Sequence, residues 1–320
     1  MFRIGILGAA DIAFNKFIPA LMKVEGVECA GVASNSPDKL KRFVEKYNVH
    51  VYSSYNEVIG DDSVDCVYIP LPPAFHYEWA KKALLAGKHV FLEKPSTTSA
   101  DDTKELVRIA GEKGLVVQEN YMFQFHAQLK EIENLIASGE LGKLRLVRTS
   151  FGFPRRAEGD FRYVKELGGG TMMDNGGYTI KLIDMLLGES MRLVSSQLDY
   201  DEKTGIDIFG TAEFVNDDGV IAQAAFGMDC QYQCSLELWG SRGRLTTGRI
   251  YTAPDGFKPM ALVETGAGSR NVELPSCDAF EESIKMYLRA VEDERLRESM
   301  AHELVRQAEF VDDVRGMDRK

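Results

Sequence analysis

FRIGILGAADIA, residues 2–13, opens the chain with an apolar run, a turn of small residues and the start of a helical pattern. Gly8, Ala10 and Ala13 stand where a dinucleotide-binding strand, turn and helix needs small side chains. The first permits the tight turn, the second lets backbone approach a pyrophosphate, and the third lets helix and strand pack closely. Alanine at the second place is a departure, because a methyl group must fit where glycine leaves room. What decides the reading is the context, a complete strand, turn and helix with a second apolar strand following on schedule.

Outward from that turn, apolar strands alternate with helical patterns as far as residue 120. VECAGVA, a short piece near Val49 to Tyr52, VDCVYI, HVFLE and LVVQE read as strands. Between them SPDKLKRFVEKY, PAFHYEWAKKALLAG and ADDTKELVRIAGEKG repeat apolar residues at three and four, and the last two end at glycine, as helices do. Strands apolar on both faces and separated by helices imply a parallel sheet covered on both sides. The expected fold is α/β, with a doubly wound, Rossmann-type sheet over residues 1–121.

Residues 122–320 have a different texture. After the helix QLKEIENLIASG come KLRLVRTSFGF, RLVSSQLDYD, IDIFGTAEFVN, GVIAQAAFGM and CSLELWG, which alternate with period two and are punctuated by turns such as Asn216 to Gly219. That pattern predicts an α+β domain on a large, mostly antiparallel open sheet. One helix starting near Thr171 interrupts the series, and AFEESIKMYLRAVED and ESMAHELVRQAEFVDDV close the chain.

With 320 residues, two domains are expected. The 38 Lys plus Arg against 49 Asp plus Glu give a net charge of -11, which argues against nucleic acid and against a membrane surface as partner. Met1 leads directly into a core strand without leader features, and the five cysteines suit a reducing environment, so a cytoplasmic protein is expected. Cys230 and Cys234 lie in a strand pattern with no second pair of ligands nearby, so no metal is expected.

The strand tips name the cofactor site. Gly8, Ala9, Ala10, Asp11 and Ile12 would line the pyrophosphate turn, and Ser34, Asn35, Ser36 and Lys39 follow the second strand. A carboxylate at that second tip would grip the ribose 2′-hydroxyl of NAD; small polar groups with cations nearby leave room for the extra phosphate of NADP, which is favoured over NAD. Pro70, Leu71 and Pro72 follow the fourth strand, Glu93 and Lys94 the fifth, and Glu119 and Asn120 the sixth.

Two further motifs carry chemistry. GKHVFLEKP, residues 87–95, delivers the Lys94 ammonium where a rigid strand ends, on the side where open α/β sheets bind ligands. GGGTMMDNGGY, residues 168–178, places Asp174 and Tyr178 four apart at a helix start, hence on one face. With GILGAADIA, VYIPLPPAFHYEWAKKALLAGKHVFLEKP, IASGELG and LWGSRGRL, these motifs make the chain resemble the glucose-fructose oxidoreductase, inositol dehydrogenase and rhizopine catabolism family, Gfo/Idh/MocA, over nearly its whole length. The resemblance implies that Lys94, Asp174 and Tyr178 line the site beside the nicotinamide, adds His76 as a cofactor neighbour, and implies a cis Lys94–Pro95 bond. The tyrosine in place of histidine, with VYIPLP, GDFRY and GRIYTAPDG, looks most like the branch of nucleotide-sugar 3-ketoreductases.

Residue chemistry suggests the division of labour. Hydride addition to a ketone leaves an alkoxide that needs a proton, and Tyr178 and Lys94 are the donors on offer. An ammonium nearby would favour phenolate and steady developing negative charge. Asp174 would orient or accept a substrate hydroxyl. His126, at the start of the crossing helix, could reach a sugar hydroxyl, and Arg155, Arg162 and Tyr163 in FPRRAEGDFRY could clamp a phosphate. The rivals are a dehydrogenase of a free sugar, polyol or dihydrodiol, and a catalytically silent sensor of cofactor and sugar. One sheet face without a covering helix predicts a homodimer or homotetramer.

Overall fold

The computed structural model describes residues 1–317. By backbone contacts the chain divides into two units, Met1–Asn120 with Phe280–Ala308, and Tyr121–Ala279 with Glu309–Lys320. The expected division kept both C-terminal helices with the second domain; the contacts assign Phe280–Ala308 to the first unit instead. The reason is local to that unit. Tyr287 packs its ring 5.0 Å from Phe91, and its hydroxyl lies 2.9 Å from Cys66 Sγ, so the helix Ala279–Glu292 completes the cover of the first sheet.

The first sheet contains β1 (Phe2–Leu7), β2 (Val27–Ala33), β3 (Cys66–Ile69), β4 (His89–Leu92) and β5 (Val117–Glu119). Their order is β2-β1-β3-β4-β5 and every pairing is parallel. Ile4, Ile6, Val67, Ile69, Val90 and Leu92 are fully buried, as strands covered on both faces require. The piece near Val49 to Tyr52 does not become a strand. Only Val51 bridges to Val32, through the Val32 amide to the His50 carbonyl and the Tyr52 amide to the Val32 carbonyl, too short a pairing to count as a strand.

Connecting helices begin and end as their sequences direct. Ser54 and Ser99 accept the amide N–H groups of Glu57 and Asp102, and Gly114 ends its helix in the left-handed conformation. The chain leaves β1 toward β2 on one side and returns to β3 on the other. The sheet order therefore reverses at β1, and the tips of β1 and β3 form the switch point where such sheets bind ligands.

The second sheet holds β6 (Leu144–Gly152), β7 (Arg192–Tyr200), β8 (Asp207–Val215), β9 (Ile221–Gly227), β10 (Gln233–Gly240), β11 (Gly243–Gly248), β12 (Met260–Thr265) and β13 (Gly268–Glu273). The order is β13-β12-β11-β10-β6-β9-β8-β7, antiparallel except for the parallel pair of β6 and β9. Alternate residues pack beneath the helices Ala127–Ala137 and Gly177–Leu187, and Val147, Phe214, Ala222, Leu236, Leu238, Ile180 and Leu182 form a shared core. A fully buried side chain of this kind contributes roughly 1.5–3 kcal/mol.

The opposite face carries Arg148, Gln223, Glu237, Arg244 and Glu264 in mutual hydrogen bonds and ion pairs, with Trp239, Ile221 and Met260 exposed among them. Two shallow concavities of about 490 and 510 Å³ lie on that face and contain none of the expected site residues.

Candidate active site

In the first unit, each strand tip delivers an expected residue. Gly8 follows β1 with φ 117°, and a Cβ built there would lie 2.8 Å from Leu71 Cδ2, so only glycine lets this turn pass beneath the loop after β3. The backbone then runs helically from Asp11 to Leu21, widening into a π-helical turn at Ala13–Phe17. Amide N–H groups at a helix start suit an anionic pyrophosphate, and the cradle left by Gly8 suits its close approach.

Ser34, Asn35 and Ser36 follow β2 with no carboxylate among them, and Ser34 Oγ accepts the Ser36 amide at 3.1 Å. Lys39 stands exposed in the following helix, Pro37–Tyr47. Arg42 is not simply solvated. Its guanidinium pairs with Asp11 at 2.6 Å and covers the Phe14 ring at 4.6 Å, which brings a cation onto the GAADIA turn.

Past β3, Pro70, Leu71 and Pro72 are tied to the segment after β4 by His76. Its Nε2 lies 2.7 Å from the Leu71 carbonyl oxygen and its Nδ1 2.8 Å from that of Pro95. Burial, aided by the Lys94 charge, pushes the imidazole's pKa down against the pull of those carbonyls. The neutral ring then donates to one carbonyl at a time. The Lys94–Pro95 peptide bond is cis, in keeping with the resemblance.

Glu93 Oε1 accepts from Tyr68 at 2.8 Å and from Asn120 Nδ2 at 2.9 Å. Desolvation raises the Glu93 pKa, with Asn120, Tyr68 and the Lys94 ammonium opposing. Asn120 is held from its other side by Ser283, which Gln118 also contacts at 2.9 Å. Nothing local in the sequence links residue 120 to residue 283, and this buried network was invisible before the structure.

In the second unit, Asp174 and Tyr178 fall at the start of one helical stretch, whose first turn, Met172–Gly176, is π-helical. Such turns are rare and often occur at functional sites. Two anchors hold this one. Asn175 donates to the carbonyls of Phe151 and of Gly227, the latter at 2.9 Å, and Asp207 accepts the Met172 amide at 2.5 Å. Gly170, at φ 120°, leaves room for that carboxylate, where a Cβ would collide with it.

Tyr178 is 8% exposed and sits in an aromatic group, its ring 4.9 Å from Tyr121, 5.2 Å from Phe151, 5.6 Å from Phe123 and 5.8 Å from Tyr251. Its hydroxyl donates to Met122 Sδ at 3.6 Å. Asp174 accepts from Arg162 Nε at 2.7 Å, and Arg162 also binds Asp160 at 3.1 Å. Desolvation opposes the charge on Arg162, but the two carboxylates raise its pKa further.

The arginines expected as a clamp thus each face a carboxylate. Arg155 pairs with Asp229 at 3.1 Å and lies over the Tyr163 ring at 5.0 Å, while the Tyr163 hydroxyl accepts the Arg156 amide and donates to the Met228 carbonyl. His126 is 2% exposed; its Nδ1 accepts the Gln128 amide at 3.2 Å, and its Nε2 is buried without a partner among the described residues. Among the described residues no cluster of three or more His, Cys, Asp or Glu could hold a metal, and no helix is long and apolar enough to cross a membrane.

A five-stranded parallel unit with a glycine turn at its switch point, joined to a unit built on one open sheet, has the architecture of a dinucleotide-binding protein. Comparison places it further. Residues 2–121 match the family model described as Oxidoreductase family, NAD-binding Rossmann fold, and residues 129–246 match that of the GFO/IDH/MocA C-terminal domain. The chain belongs to the Gfo/Idh/MocA oxidoreductase family.

Two relatives, from Streptomyces violaceoruber and Actinomadura kijaniata, are named dTDP-3,4-didehydro-2,6-dideoxy-alpha-D-glucose 3-reductase. They are 37% and 35% identical, each match covering 98% of this chain and 94% of the relative. The crystal structure of KijD10, a 3-ketoreductase from Actinomadura kijaniata in complex with NADP and TDP-benzene, matches with a TM-score of 0.95 at 35% identity, over 99% of this chain and 97% of that one. Lysine-to-alanine and tyrosine-to-phenylalanine variants of that ketoreductase have been solved too, and the two altered residues lie as many positions apart as Lys94 and Tyr178 do.

Proposed function

We propose that this protein is an NADPH-dependent reductase of a ketone on a nucleotide-linked hexose, with carbon 3 as the reacting centre. The observation that carries this reading is the presence of a lysine after β4 and of a tyrosine just past the π-helical turn, as many positions apart in the sequence as the lysine and tyrosine altered in the 3-ketoreductase. The bound dinucleotide supplies the hydride.

The chain's own residues do the rest. Gly8, Ala9, Ala10, Asp11 and Ile12 hold the pyrophosphate; Ser34, Asn35, Ser36 and Lys39 receive the ribose with its 2′-phosphate; and Pro70, Leu71, Pro72, His76, Glu93, Lys94 and Asn120 shape the nicotinamide end. Tyr178 gives its phenolic proton to the alkoxide oxygen while Lys94 offsets the negative charge forming there. Asp174, fixed by Arg162, accepts a substrate hydroxyl. Arg155, Arg162 and Tyr163 border the substrate, Arg162 chiefly as the support of Asp174. The protein acts in the cytoplasm as a homodimer or homotetramer formed through the open sheet face.

Cofactor oxidation with NADPH and NADH, measured against free and dTDP-linked 3-keto hexoses, tests the reading. Turnover is expected with NADPH and the dTDP sugars. Lys94→Met should bind NADPH as the wild type does and lose at least about a hundredfold in kcat. Tight cofactor binding with no reduction of any of these sugars would overturn the reading.

A further inference from the structure

Five residues of the first unit form one chain of hydrogen bonds that ends beside the tip of β4. Gln118 Nε2 donates to Ser283 Oγ at 2.9 Å, Ser283 Oγ to Asn120 Oδ1 at 2.9 Å, and Asn120 Nδ2 to Glu93 Oε1 at 2.9 Å. Tyr68 gives its hydroxyl proton to the same carboxylate oxygen at 2.8 Å. That oxygen settles the sense of the whole chain. An ionised oxygen only accepts, so the Asn120 atom beside it is nitrogen, its Oδ1 turns to Ser283, and the serine must direct its one proton there. Every donor points toward Glu93.

Ser283 lies in the helix Ala279–Glu292, far along the sequence from the strand tips. Ser283, Asn120 and Tyr68 are 0% exposed and Gln118 is 3% exposed, so none of the four is placed to touch a ligand. Glu93 alone keeps accessible surface. With Oε1 taken by two donors, what this carboxylate can offer a ligand is Oε2, steadied by groups whose own orientation is fixed.

We infer that Glu93 reads the carboxamide of the nicotinamide, accepting its N–H on Oε2, and that Ser283 is a positioning residue that holds this carboxylate through Asn120. The inference rests on the proposed placement of Glu93 at the nicotinamide end and deepens it. A carboxylate accepts and cannot give, which matches an amide NH2 and not a carbonyl oxygen. The two donors and the Lys94 ammonium favour the ionised form against the burial that opposes it.

Fluorescence titrations of NADP, of its 3-acetylpyridine analogue and of 2′-phospho-ADP-ribose test this without turnover. The analogue keeps the ring and the carbonyl but carries a methyl group in place of the NH2, and the third ligand lacks the ring. Wild type should bind NADP at least about tenfold more tightly than the analogue, which leaves the carboxylate facing a methyl group. Ser283→Ala should shrink that ratio at least about threefold while 2′-phospho-ADP-ribose binds as before, a split that loosened packing does not produce. Should the Ala variant not fold, Ser283→Cys decides in its place, because a thiol fills the position with a much weaker donor. Glu93→Gln should erase the preference, since its amide accepts on Oε1 and turns an NH2 to where Oε2 stood. A wild type that binds NADP and the analogue alike overturns the inference. So does full discrimination in the Ser283 variant that folds, or an equal loss of affinity for all three ligands. A wild type that binds none of the three overturns the cofactor reading itself.

Discussion

Replacing Tyr178 by Phe removes one oxygen and keeps the ring among Tyr121, Phe151, Phe123 and Tyr251, so the packing that holds this helix start is preserved. The hydroxyl's bond to Met122 is long and its thioether acceptor weak, so the expected loss of stability is about 0.5 kcal/mol, or roughly 2 °C in melting temperature. Catalysis should respond on another scale. Loss of a positioned general acid costs about a hundredfold to ten-thousandfold in rate, roughly 3–5 kcal/mol in the barrier. Single-turnover oxidation of NADPH with a saturating keto-sugar measures the chemical step, and a fluorescence titration measures cofactor affinity, which should be unchanged. A rate loss smaller than about tenfold, or one matched by weaker cofactor binding, refutes Tyr178 as proton donor.

Arg162→Met strips Asp174 of its guanidinium while leaving the carboxylate 8% exposed; we expect a stability loss of about 3–5 kcal/mol by urea melt and a rise in KM larger than any fall in NADPH affinity. Gly8→Ala forces a Cβ against Leu71 at a φ that side chains rarely adopt, so NADPH affinity should drop by at least about tenfold in a fluorescence titration, with a stability cost of about 1–3 kcal/mol. The Asp61 carboxyl is held down to about 2 by hydrogen bonds from the Ser63 and Tyr52 hydroxyls. Because its folded value is depressed, the unfolded chain binds the proton first, so the stability it contributes is present above its ordinary value and lost as pH falls toward about 2. Melts across that window should show a shallower acid loss for Asp61→Asn than for wild type.

Much of this was legible locally. Strand tips at Gly8, Ser34, Pro70, Lys94 and Asn120 follow from apolar runs that stop at a polar or small residue, and Asp174 with Tyr178 from a glycine run leading into a helix. What stayed hidden depends on partners distant in sequence. The parallel pairing of β6 with β9 joins strands separated by a helix and two further strands, and no alternation pattern records direction. Arg162 reads as a free cation until the fold brings Asp160 and Asp174 against it. Asn175 looks like a spacer in DNGG, yet it ties the π-helical turn to the carbonyls of two strands. The helix near Tyr287 packs on the first sheet although it follows the whole of the second.

The central claim, that this chain delivers hydride and proton to carbon 3 of a nucleotide-linked keto-hexose, is tested most directly by tracing the atoms. Incubation of wild type with NADPH deuterated at the transferable position and a dTDP-linked 3-keto hexose, followed by NMR of the product, should show deuterium on carbon 3 and a new hydroxyl there. Deuterium at another carbon, or a free sugar or polyol labelled while the nucleotide-linked one is left untouched, would contradict it.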